Sequence, residues 1–212
     1  MRYTLTVLIL VLGLSVLGAQ EKQVRYLFPE FTDSYIYYKD GRVFQVPTNY
    51  DLFENKFTFI DKDNEKKEFS DPNMIVSVKA GNRTFILISG NEAAEVMQTE
   101  PRILVQYIGN KRIKKDLTFG GKTETASVDS YSNLIYGTGD DNKNTVLAKI
   151  DYQFYINKNK RLKRFSTEKQ FLKLFTKQEI ELKKYIDEYK VNFGSVEQVV
   201  KLCNYAFSKE NK

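Results

Sequence analysis

Between Tyr35 and Ile156 apolar side chains recur at every second position in short runs, and beyond Phe165 the spacing lengthens to three and four. Period two marks half-buried strands and the longer period amphipathic helices. Tyr35 to Tyr38 leads through Lys39-Asp40-Gly41 into Arg42 to Val46, which reads as a hairpin with a tight turn. Phe57 and Phe59 alternate with Thr58, and Met74, Val76 and Val78 alternate with Ser77 and Lys79. Ala80-Gly81-Asn82 then turns the chain into Thr84 to Ile88, and Ile103, Val105 and Tyr107 supply a further strand. The clearest alternation sets Ile150, Tyr152, Phe154 and Ile156 on one face and Asp151, Gln153 and Tyr155 on the other. These runs predict an antiparallel meander or a small barrel.

In the C-terminal part three capping boxes announce helices: Thr167 with Gln170, Thr176 with Glu179, and Ser195 with Gln198. Leu182, Tyr185, Ile186 and Tyr189 form one apolar stripe, and Val199, Leu202, Cys203 and Ala206 another. Helices this short are marginal alone and need the sheet or each other. The fold class is therefore α+β, a β-meander or small barrel followed by two to three C-terminal α-helices. Cys203, on an apolar face, reads as a small buried hydrophobe.

The domain organisation follows from these textures: a β-rich part over 20–165, a helical part over 166–208 and a disordered tail at 209–212. Within the first, 117–145 carries Gly120-Gly121, Gly137, Gly139 and Asp140-Asp141 with few aliphatics, and reads as a long loop. Such loops are either mobile connections or binding loops. Residues 1–19 have a single charge at Arg2, an apolar stretch from Leu5 to Leu12 and a small-residue exit at Gly18-Ala19. That is the pattern of a secretory signal peptide removed after about Ala19. Gln20 occupies the place an acylated cysteine would need, so lipid attachment there is excluded, and the single cysteine forbids an internal disulfide.

The net charge of +6 becomes +5 without Arg2, which favours acidic partners over basic ones. Lys111, Arg112, Lys114 and Lys115 precede the Gly-rich loop, and Lys158, Lys160, Arg161, Lys163 and Arg164 follow it. Pairing of the strands that carry them would join the two clusters in one basic patch. Nucleic acid is a poor partner for an exported chain, and no transmembrane span is expected in the mature chain. Most of its strand runs are also shorter than a membrane barrel needs, and its C-terminal portion reads as helical.

Catalytic chemistry finds little to work with. There is no histidine, which removes the commonest general base, the histidine-dependent nucleophile systems and most zinc ligand sets. Ser166 and Lys169 have the Ser-x-x-Lys spacing but fall within a helix cap. Glu92 with Glu95, or Asp140 with Asp141, would be the carboxylate pairs of a hydrolase, and each reads as ordinary surface acid. Asp61 to Glu65 and Asp140 to Asn144 place oxygens at alternate positions, yet neither has the glycine and distal glutamate of a helix-loop-helix calcium site. No metal or cofactor is implied.

The segments Tyr37 to Val43, Asn49 to Leu52 and Phe57 to Asp61, with Tyr136-Gly137-Thr138, Phe175 through Tyr189, Val191-Asn192-Phe193 and the helix after it, resemble a group of exported Bacteroidetes proteins. The resemblance implies an envelope location and a β-module followed by helices, and carries no activity or site residue with it. The reading is a non-enzymatic exported protein, periplasmic or outer-membrane-associated, that acts as an accessory subunit of an envelope protein complex. An exposed aromatic patch of Tyr35, Tyr37 and Tyr131 would then meet the partner. The alternatives are a soluble receptor for an acidic or lipidic ligand, using a cavity or the basic patch near Lys114 and Arg161, and an unrecognised carboxylate hydrolase.

Overall fold

The computed structural model describes residues 25–90, 92–116, 122–124 and 145–210. The expected signal peptide, most of the Gly-rich loop, Tyr131, Asp140 and Asp141 lie outside the described residues. Strands β1 (Thr32–Tyr38), β2 (Val43–Asp51), β3 (Lys56–Ile60) and β4 (Lys66–Glu68) run as a meander. They are followed by β5 (Ile75–Ala80), β6 (Arg83–Ser89), β7 (Glu92–Gln98), β8 (Ile103–Asp116), β9 (Lys122–Glu124), β10 (Thr145–Lys158) and β11 (Arg161–Phe165). Across the sheet the order is β11-β10-β8-β7-β6-β5-β1-β2-β3-β4, with β9 added to the far end of β8. All pairings are antiparallel, and the sheet does not close: β11 and β4 are its edges.

Turn chemistry sets the first hairpin. Gly41 takes φ +86°, which costs a residue without Cβ nothing, and the Arg42 N–H donates to Asp40 Oδ1 at 3.1 Å. Apart from β9, which leaves β8 beside β10, the one departure from sequential neighbours is β1, which pairs with β2 on one side and with β5 on the other. The β4–β5 link therefore carries the chain back past three strands, through a 3-10 turn at Pro72–Met74. Its Phe69 packs against Phe59 with ring centroids 4.8 Å apart and so covers the inner face of the sheet.

That inner face is one continuous apolar surface with two cores. Ile36, Tyr50, Leu52, Phe57, Val78 and Phe85 fill the first, inside the curl of β1 to β7. The curl is tight enough that β8 touches the end of β2. A Cβ built on Gly109 would stand 2.2 Å from the Leu52 carbonyl oxygen, so only glycine lets the two backbones approach. Ahead of β1, Asn49 staples the segment before Thr32: its Nδ2 donates to the Phe28 and Glu30 carbonyls, and its Oδ1 accepts the Phe28 N–H.

The second core lies where α1 (Glu168–Leu172), α2 (Glu179–Tyr189) and α3 (Val196–Glu210) cover β8, β10 and β11. Ile103, Val105, Phe154, Ile156 and Phe165 meet Phe171, Leu182, Ile186, Val199, Leu202 and Ala206, all buried. Cys203 is buried among them, and desolvation pushes its thiol up to about 12. Tyr107 touches both cores. Among the described residues no helix is long and apolar enough to cross a membrane.

Several details differ from the sequence reading. Thr167 caps α1 as expected, accepting the Gln170 N–H at 3.4 Å, but the Gln170 side chain accepts from Ser166 N. Ser195 accepts the Gln198 N–H at 3.5 Å while Gln198 Oε1 takes the Asn192 N–H. Thr176 caps nothing: it opens a 3-10 turn that runs directly into α2. Met74 and Val76 are exposed, and Ile75 and Val78 point inward instead. Here the β1–β5 register slips between Tyr37 and Tyr38, and the bulge inserts Val76 on the outside. The last helix continues through Lys209 to Glu210, where a tail had been expected, and Glu210 accepts from Lys158.

Candidate functional site

The two basic clusters are not one patch. β8 and β10 do pair, but antiparallel, with Arg112 opposite Val146 and Ile103 opposite Ile156. From Val146 to Lys158 the ladder runs on the order of 40 Å at about 3.3 Å per residue. Lys111 and Arg112 are therefore at one end, with Lys114 and Lys115 further along toward β9, and Lys158 to Arg164 are at the other. Lys158 is also committed elsewhere: its ammonium reaches Glu210 Oε1 at 2.5 Å and stands 3.6 Å from the centre of the Phe175 ring. Lys111 lies 3.9 Å from Glu54. What remains is a cluster on one hairpin, Lys160, Arg161, Lys163 and Arg164, which make no ion pair among the described residues.

The aromatic residues come together better. In β1 Tyr35 and Tyr37 point to the outer face, opposite the buried Ser34 and Ile36. Tyr37 pairs with Val43 of β2 and Ser77 of β5, and Tyr35 with Gln45 and Lys79. Tyr35 keeps 43 % of its surface exposed, Tyr37 38 %, Val43 53 % and Val76 49 %. Two tyrosines and two valines on three adjacent strands thus form an apolar surface on the outside of the sheet. Val43 was findable once the Asp40-Gly41 turn fixed the hairpin register, whereas Val76 owes its place to the bulge.

The carboxylate candidates do not assemble as a pair. Glu92 and Glu95 stand three residues apart in β7 and so project from opposite faces. Glu92 is exposed, but Glu95 is buried, contrary to its reading as a surface acid. Arg83 binds it through two donors, Nε at 2.8 Å and Nη2 at 2.7 Å, and the Tyr107 hydroxyl donates at 2.5 Å. The rings of Phe28, Phe85 and Tyr107 surround the guanidinium at 4.9 to 5.2 Å. Burial, and then the Glu95 carboxylate, raise the Tyr107 phenol well above its ordinary range. With its donors and acceptors matched, this trio holds β6, β7 and β8 together. Asp61 accepts the Asp63 and Glu65 amides at 2.9 Å and bonds the Lys67 ammonium. The Lys67 bond and then the Glu65 amide hold its carboxyl below the usual range. The Ser166 hydroxyl donates to Gln170 Oε1 at 3.2 Å, within the α1 cap.

Beneath the β4–β5 link, Phe57, Phe69, Pro72, Ile75 and Leu87 enclose about 20 Å³, room for about one water. A shallow groove of about 690 Å³ runs along α1 and α2, with Leu172 and Ile180 in it, and the Lys183–Glu168 ion pair of 2.9 Å lies across it. Neither brings two free carboxylates together. No family model, curated protein or solved structure matches the chain.

Proposed function

We propose that the chain is an exported, non-enzymatic binding protein that serves as an accessory subunit of an envelope protein complex. Its partner surface is the outer face of β2, β1 and β5. The observation that carries this reading is the grouping of Tyr35, Tyr37, Val43 and Val76, each more than a third exposed, on three paired strands. Amphipathic tyrosines offer large contact area at low entropic cost and are enriched at the centres of protein interfaces. The hydrogen-bonding rim around them, Gln45, Ser77 and Lys79, matches the polar border such interfaces carry.

The test is affinity purification of the tagged protein from its native envelope in gentle detergent, with co-purifying proteins quantified by mass spectrometry. A membrane partner recovered in stoichiometric amount from the wild type, and lost from a Tyr35→Ser, Tyr37→Ser variant of unchanged thermal stability, supports the reading. Recovery of the protein alone refutes it.

A further inference from the structure

The β10–β11 hairpin occupies one edge of the sheet, and among the described residues nothing pairs with the far side of β11. From Tyr152 to Thr167 the chain contains no acidic residue, while Lys158, Lys160, Arg161, Lys163 and Arg164 fall within it. We propose that this hairpin seats the protein on an anionic lipid surface, its cations against headgroup phosphates and Leu162 within the interface. Asn159 and Lys160 turn the chain with φ +52° and +60°, so Lys160 and Arg161 stand at the tip. Register then places Leu162 and Arg164 on the outer face with Asn157 and Tyr155, and Arg161 and Lys163 on the face that the helices flank.

Three features select a lipid surface over a folded acidic protein. The cations project from both faces and from the tip, an arrangement that a fluid surface can surround and a rigid complementary surface cannot. Leu162 is 44 % exposed in their midst, and a leucine ringed by Lys and Arg is the composition of an interfacial anchor. Lys160, Arg161, Lys163 and Arg164 have no ion-pair partner among the described residues, so their charge is available to phosphates. The hairpin is six strand positions from β1 in the sheet order, so the two surfaces are built on different strands.

The test is co-sedimentation of the full chain with vesicles of equimolar phosphatidylglycerol and phosphatidylcholine. Vesicles of phosphatidylcholine alone subtract any partitioning due to the apolar start of the chain. The variant Lys160→Asn, Arg161→Gln, Arg164→Gln is expected to lose on the order of 100-fold in anionic partitioning, about fivefold per cation. Lys62→Gln, Lys177→Gln, Lys184→Gln removes the same charge elsewhere and is expected to change partitioning little. Arg164→Gln alone, costing about fivefold, serves if the triple variant does not fold. Equal losses in the two triple variants, absence of anionic preference in the wild type, or hairpin-dependent binding to polyglutamate without binding to vesicles would each overturn the proposal.

Discussion

Gly109 is where the curl of the sheet can be tested at a single atom. An alanine Cβ there would sit 2.2 Å from the Leu52 carbonyl oxygen and 2.9 Å from Leu147 Cδ1. Ordinary contact needs roughly 3.5 Å, so the end of β2 and β8 must separate by about 1 Å. Leu147 can rotate away, but the carbonyl belongs to the backbone of Leu52, a fully buried residue, and has nowhere to go. Overpacking of this kind costs about 1–3 kcal/mol, and the rigid partner puts Gly109→Ala near the top of that range. The entropy gained by removing a glycine, about 0.4–1 kcal/mol, offsets only part of it. For a chain of this size the net loss of about 2–2.5 kcal/mol lowers the melting midpoint by roughly 4–10 °C. Urea and thermal unfolding of Gly109→Ala, Leu147→Ala and the double variant measure it. The coupling energy between the two changes is expected to stay below about 0.5 kcal/mol, because the obstacle is the carbonyl and not the leucine. Wild-type stability in Gly109→Ala, or full rescue by Leu147→Ala, would refute the close approach.

Glu95→Gln leaves the Arg83 guanidinium among three rings without its counter-ion and is expected to cost about 3 kcal/mol in urea unfolding. The joint change Arg83→Met, Glu95→Leu, Tyr107→Phe should recover most of that loss, since no buried polar group is then left unmatched. Thr167→Ala is expected to destabilise by about 1 kcal/mol through its cap, and Thr176→Ala by less than about 0.5 kcal/mol because its hydroxyl caps nothing. Burial raises the phenols of Tyr50, Tyr107 and Tyr155 above 10 and the Cys203 thiol to about 12. The unfolded chain releases these protons first, so their stabilising contribution is complete below the unfolded values and is lost as pH rises through the folded ones. The urea midpoint should fall progressively above pH 10 together with the appearance of phenolate absorbance, and a midpoint unchanged to pH 12 would contradict this burial.

The strand with the clearest alternation was legible, because a wetter and a drier face leave a period of two in Ile150 to Ile156. β7 was not, since Ala93, Ala94 and Glu95 are all buried and the wet face that creates alternation is missing there. Glu95 shows why composition misleads at such a place: its partners come from β6 and β8, and only the sheet order brings them within reach. Tyr35 and Tyr37 could be named from their alternation with Ser34 and Ile36. The basic patch could not be decided from spacing, because whether two clusters meet depends on register and direction, and an antiparallel ladder sends them apart.

The long ladder of β8 and β10 has a consequence for how the molecule yields. Among the described residues these two strands alone supply side chains to both cores, with Tyr107 and Tyr152 edge to face where the cores adjoin, centroids 5.7 Å apart. Neither the helices nor the curl can be stripped away completely without exposing one half of the same ladder. Local openings should therefore begin at β4 and at the α1 end and stop short of this pair. Its amides near Tyr107 and Tyr152 would then exchange with solvent only through global unfolding, as the slowest set in the chain.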